Sequence, residues 1–140
     1  MDKKKTVLFV DDDRAMLLSI ERCLLNEPYN QLFAKSGQEA LEILQKEEVH
    51  IIVADMCMPE MTGLELLRIA RKEYPNIIGI ILTGYAIDTE VQNAIEQGEI
   101  FWLIPKPLWQ LGGKFEKLIL RSLIHSDFQR ECEHYQTVEK

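Results

Sequence analysis

The stretch that decides the fold is TVLFVDDD, residues 6–13. Thr6 to Val10 form an unbroken β-branched and aromatic run, the pattern of a strand buried on both faces. Three consecutive carboxylates, Asp11, Asp12 and Asp13, stop it abruptly. Beyond them Met16, Leu17, Ile20 and Leu24 recur at helical spacing. A buried strand, an acidic rim and a helix therefore follow one another in one short segment.

The same alternation repeats outward along the chain. QLFAK (31–35), HIIVAD (50–55), IIGIILT (77–83) and IFWLI (100–104) read as four more strands. Between them lie helical patterns carrying Ala40, Ile43 and Leu44, then Leu64, Leu67 and Ala70, then Val91, Ala94 and Ile95. Ser36 with Glu39 reads as a capping box, Asp88 as an N-cap, and Gly98 as a residue just past a helix end. Five β-then-α units imply a parallel sheet with helices on both faces. The last helix begins near Gly113, and Leu120, Ile124, Phe128 and Cys132 carry its apolar pattern beyond what one unit needs. The expected division is a domain over residues 1–122 and a helical extension over 123–140.

Composition narrows the function classes. At 140 residues, with 46% hydrophobic and 28% charged side chains, the chain can bury a core without disulfide or metal. Sixteen basic against 23 acidic residues give a net charge of −7. Such a surface repels phosphate backbones and anionic lipid, which argues against unaided nucleic-acid or membrane binding. Cys23, Cys57 and Cys132 are odd in number and widely spaced, so they read as reduced thiols of a cytoplasmic protein. No apolar run approaches the ~20 residues of a membrane span.

Open parallel sheets collect ligands beyond the carboxyl ends of their strands. The first strand here is followed by Asp11, Asp12 and Asp13, the third ends in Asp55, the fourth in Thr83, and the fifth is followed by Lys106. Crowded carboxylates raise one another's pKa unless a cation joins them, and a hard divalent ion with oxygen ligands, Mg²⁺ above all, removes that conflict. Acids that hold a metal, with a hydroxyl and an ammonium that hold an anion, describe a phosphoryl site. Asp13 reads as the N-cap of the first helix rather than a ligand.

Taken together, VLFVDDD (7–13), DMCMPEMTGLELL (55–67), ILTGY (81–85) and the Lys106-Pro107 pair resemble the receiver domain of two-component response regulators. The resemblance covers about residues 4 to 122. It implies a flavodoxin-like, doubly wound (βα)5 sandwich with strand order 2-1-3-4-5. It also implies that Asp55 accepts a phosphoryl group from a sensor histidine kinase or phosphotransfer protein. Asp12 would ligate Mg²⁺ directly and Asp11 through water, with Asp55 and the backbone carbonyl of Cys57 completing the protein ligands. Thr83 and Lys106 would each hold a phosphoryl oxygen, Lys106-Pro107 would be a cis peptide, and Gly63 and Gly84 would allow close backbone approach or unusual turns.

The sequence departs from the family pattern in places. Leu103 stands where an aromatic switch residue is common, with Trp102 beside it and Tyr85 two residues after the threonine. Pro105 precedes the lysine, and Gly112-Gly113 opens the last helix. The stretch GEIFWLIPKP resembles receivers that precede HD-type phosphohydrolase or ATPase output domains. The expectation is a signalling module rather than an enzyme, coupled to an output domain outside this chain and able to pair with a second copy through the helix 4–strand 5–helix 5 face. A phosphorylation-independent docking module is the alternative. A haloacid-dehalogenase-type phosphatase fits less well, because Asp55-Met56-Cys57 lacks the second aspartate of its D-x-D motif. A flavodoxin-like cofactor carrier is disfavoured by three aspartates where a phosphate would sit.

Overall fold

The computed structural model describes residues 4–84, 88–106 and 114–131, with side chains as far as Ser126. Strands and helices alternate throughout: β1 (Thr6–Val10), α1 (Arg14–Cys23), β2 (Asn30–Ala34), α2 (Gly37–Lys46), β3 (Ile51–Asp55), α3 (Gly63–Glu73), β4 (Ile78–Thr83), α4 (Thr89–Glu96), β5 (Trp102–Pro105) and α5 (Lys114–Glu131). All strand pairs are parallel, and the sheet runs β2-β1-β3-β4-β5. This is the flavodoxin-like order that the sequence resemblance implies.

Two-residue periodicity divides the strand side chains between two cores. Leu8, Val10, Ile52, Ala54 and Ile81 face α2, α3 and α4, where they meet Ala40, Leu44, Leu64, Leu67 and Ala94. Val7, Phe9, Val53, Ile80, Leu82 and Ile104 face the other side, where α1 supplies Leu17 and Ile20 and α5 supplies Phe115, Ile119 and Leu123. Fully burying one such leucine, isoleucine or phenylalanine is worth roughly 1.5–3 kcal/mol. Burial on both faces thus explains why β1, β3 and β4 read as continuous apolar runs rather than alternating ones. Among the described residues no helix is long and apolar enough to cross a membrane.

Some local expectations shift. β5 begins at Trp102 and includes Pro105, whereas the sequence suggests a strand over 100–104 broken at that proline. Thr83 lies opposite Pro105, and the Thr83 carbonyl accepts from the Lys106 N–H (2.8 Å). In this parallel register Thr83 O bonds the residue after its partner, so the Pro105 nitrogen faces the open edge of the sheet, where a missing N–H costs little. Ser36 does cap α2, accepting from the Glu39 N–H (3.1 Å), but Glu39 reaches back to the Lys35 N–H (2.8 Å) and not to that of Ser36. The full reciprocal box lies at Thr62 and Glu65, opening α3. Asp13 and Asp88 cap α1 and α4 as the sequence suggests. α5 runs unbroken across residue 122, and Leu123 and Ser126 are still buried. Pro107, Tyr85, Gly112-Gly113 and Cys132 lie outside the described residues.

Three glycines illustrate different demands. A Cβ on Gly63 would stand 2.5 Å from the Asp55 carbonyl oxygen, so only glycine lets α3 start against the end of β3. Gly98, at φ +79°, closes a Schellman turn in which Glu99 N–H donates to Ala94 O (2.8 Å) and Gly98 N–H to Ile95 O (3.1 Å). Gly84 needs neither: its added Cβ would make an ordinary 3.9 Å contact with Lys106, and its φ is not left-handed. The expectation of a special backbone at Gly84 is not met.

Gly63→Ala should therefore cost about 1–3 kcal/mol through overpacking against backbone. Gly98→Ala should cost about 1–2 kcal/mol through its dihedral alone, and Gly98→Asn should recover part of that loss. Urea unfolding midpoints check the series. A Gly63→Ala midpoint equal to wild type would contradict the close packing of α3 on β3.

Candidate functional site

Parallel pairing brings the carboxyl ends of neighbouring strands to one rim, and the ladder continues past each end. Asp11 N–H donates to Ala34 O (3.1 Å) and Met56 N–H to Leu82 O (2.9 Å), so the residues that follow β1 and β3 are as fixed as the strands. Asp55 pairs with Leu82, which places Thr83 one residue beyond it on the adjacent strand. Lys106 is held by its own N–H on Thr83, as described for β5.

The structure brings the acids together. Asp11, Asp12 and Asp55 each offer a carboxylate oxygen within 4.8 Å of the others. Asp11 is only 1% exposed, Asp55 is buried and Asp12 is exposed. Lys106 Nζ bridges the two buried acids, lying 2.8 Å from Asp55 Oδ1 and 3.2 Å from Asp11 Oδ2. Asp11 Oδ1 accepts the Asp13 backbone N–H (2.9 Å). Thr83 is half-buried beside this group. Cys57, two residues after Asp55, is an exposed free thiol in the β3–α3 loop.

Electrostatics follow from that crowding. Burial pushes the Asp11 carboxyl above its ordinary value, and the Asp55 charge adds to the rise; the Asp13 N–H and Lys106 offset this only in part. Burial alone would lower the Lys106 ammonium, but its hydrogen bond to Asp55 and the attraction of both acids outweigh burial and hold it high. Two buried carboxylates thus share one cation, while Asp12 has no ion pair among the described residues. That is the donor set of a hard divalent ion: three carboxylates converging with insufficient positive charge.

Asp13 has two duties that the sequence separates poorly. Its side chain accepts from the Ala15 N–H (2.9 Å) as the α1 cap, while its own N–H orients Asp11. The second duty is an Asx turn, a pattern that consecutive aspartates permit. Sequence reading also passes over Glu60, whose φ of +69° is left-handed. Pro59 O accepts from Met61 N–H (2.7 Å) around it, a tight three-residue turn in the loop after Asp55.

With this geometry in hand, likeness to known proteins becomes informative. Residues 7–111 match the response regulator receiver domain family. The chain is 42% identical over 104 residues to the sensor kinase CckA of Brucella abortus, covering 73% of this chain and 11% of that protein. It is 35% identical over 105 residues to the two-component response regulator ORR3 of Oryza sativa, covering 73% of this chain and 79% of the relative. A solved signal receiver domain of an HD domain-containing protein from Pseudomonas fluorescens superposes with a TM-score of 0.79 at 30% identity, covering 89% of this chain and 98% of the other. The match spans only 11% to 24% of the length of CckA and of several bacterial transcriptional regulators. Motifs, sheet order and acidic rim agree with the family match: this chain belongs to the response regulator receiver domain family.

Proposed function

We propose that this chain is a phosphoacceptor switch in which Asp55 takes a phosphoryl group from a phosphohistidine of a sensor kinase or phosphotransfer protein. The observation that carries the reading is the Lys106 ammonium between Asp55 and Asp11, with Asp12 completing the acidic group. In the transfer, the phosphorus–nitrogen bond of the donor breaks and a phosphorus–oxygen bond to Asp55 forms. The imidazole leaves neutral, keeping the proton on its other ring nitrogen.

Each residue has a role consistent with its position. Asp11, Asp12 and Asp55, together with the Cys57 carbonyl, would hold Mg²⁺. Mg²⁺ supplies positive charge that offsets the charge of acceptor and donor as they approach. Thr83 donates to one phosphoryl oxygen. Lys106, already 2.8 Å from the acceptor carboxylate, pairs with another. Turnover of a separate substrate is not part of this reading. The domain acts in the cytoplasm through a partner or an output domain. α5 leads toward that output, residues 123–140 serve as its linker, and a second copy pairs across α4, β5 and α5, where Trp102 is 37% exposed.

The direct test is incubation with Mg²⁺ and acetyl phosphate, followed by intact-protein mass measurement. Wild type should gain one phosphoryl group, Asp55→Asn none, and Lys106→Ala should react at least ten-fold more slowly. A phosphorylated Asp55→Asn protein would falsify the assignment. An unreactive wild type that still binds its partner would instead support the docking module.

The metal site makes a separate, signed prediction. A carboxyl whose folded pKa lies above its unfolded value costs stability once ionised. At pH 7 with chelator, Asp11→Asn should therefore raise the thermal midpoint, since asparagine keeps the acceptor for the Asp13 N–H. The advantage should fade as pH falls from the raised folded value and vanish below the ordinary carboxyl value of 3.8, where Asp11 is protonated in both states. Adding Mg²⁺ should raise the wild-type midpoint more than the variant's. A variant less stable than wild type at pH 7 in chelator contradicts the charge crowding.

A further inference from the structure

α4, with eight residues, is the shortest helix among the described residues and is weakly anchored by burial. It buries only Val91 and Ala94, while α3 beside it buries Leu64, Leu66, Leu67 and Ala70. Polar contacts from α3 hold the two ends of α4, and they hold them unequally. Arg68 grips Glu99, just past α4, with two prongs: Nε to Oε2 at 3.0 Å and Nη2 to Oε1 at 3.2 Å. One turn further along α3, Arg71 Nη1 donates to Gly98 O at 2.7 Å. Both arginines therefore seize the Schellman turn itself, whose backbone is already closed on α4.

Among the described residues, α3 makes one side-chain contact with the other end. Arg68 Nη1 reaches Glu90, in the first turn of α4, at 3.2 Å. Glu90 is 61% exposed against 27% for Glu99, so water competes with the first contact far more than with the second. A two-pronged arginine–carboxylate pair also fixes orientation, which a single contact does not.

We propose that Arg68 and Arg71 make the C-terminal turn of α4 a fixed pivot, and that the Arg68–Glu90 contact is the releasable latch governing movement of its N-terminal end. The latch acts on the proposed switch, and this part rests on Asp55 phosphorylation. Thr83 ends β4, and Asp88, the N-cap of α4, follows five residues later. In chain order the latched end of α4, not the pivot, is therefore the end next to Thr83. Breaking the latch lowers the opposition to movement of that end, whereas breaking the pivot loosens the whole helix.

Hydrogen exchange resolved to single amides tests the device in untreated protein, independently of phosphorylation. Arg68→Ala should speed exchange of the α4 amides from Gln92 to Gln97 by ten-fold or more, with β1 and β3 unchanged. Arg71→Ala should do so chiefly at Gly98 and Glu99. Glu90→Gln should leave the Gly98–Glu99 turn protected while tightening the apparent affinity for beryllofluoride with Mg²⁺ about three-fold or more. The charge-swapped pair Arg68→Glu, Glu99→Arg should recover protection, which separates the pairing from a simple folding defect. Wild-type α4 exchange in an otherwise native Arg68→Ala protein overturns the pivot. Unchanged beryllofluoride affinity in Glu90→Gln overturns the latch. A wild type that fails to bind beryllofluoride refutes the phosphoacceptor reading and with it the latch, while the exchange results still decide the pivot.

Discussion

The ammonium of Lys106 ties together parts of the chain that are far apart in sequence. It reaches from the end of β5, past β4, to the acids that close β1 and β3. The bridge depends on register: a shift of one residue in β5 would send the following side chain to the other face of the sheet. The Lys106 N–H on Thr83 O fixes that register locally. The bridge also tempers the cost of the site. Two buried carboxylates so close together would otherwise repel, and one lysine neutralises only part of their charge. The remainder makes the rim receptive to a divalent cation.

The backbone around Asp55 is as constrained as its side chain. Gly63 lies against the Asp55 carbonyl, and its N–H donates to Met56 O at 3.0 Å. The loop between them must fold back tightly enough to return the chain to β3, and Glu60 takes a left-handed backbone to do so. Strained non-glycine residues persist where surrounding contacts over-determine them. Here the capping box of Thr62 and Glu65 supplies those contacts on one side and the β3 ladder on the other. Asp55, the last residue of β3, is therefore followed by a short, braced loop whose cysteine is exposed.

Much of this was legible in the sequence because each legible feature had a local cause. Continuous apolar runs identified strands buried on both faces, and acids, hydroxyl and lysine at successive strand ends predicted one polar rim. What stayed hidden depended on partners distant in sequence. Arg68 looks like any solvent-facing helical arginine until Glu90 and Glu99 are placed beside it. The T-x-x-E pattern at Thr62 was readable as a capping box but was overshadowed by the acceptor motif around it. β5 runs through Pro105 because the proline nitrogen faces the open edge of the sheet, a placement set by strand order and register and not by local sequence.

Strand periodicity also decides what Trp102 can do. Leu103 packs into the core shared by α2, α3 and α4, the side from which α4 meets the sheet. Trp102, one residue earlier, points to the opposite face, where its ring meets Phe101 edge-on at a centroid distance of 5.3 Å. Phe101 in turn contacts His125 of α5 at 4.6 Å. An aromatic ring at 102 therefore cannot replace one at 103, because a period of two puts the two positions on different sides of the sheet.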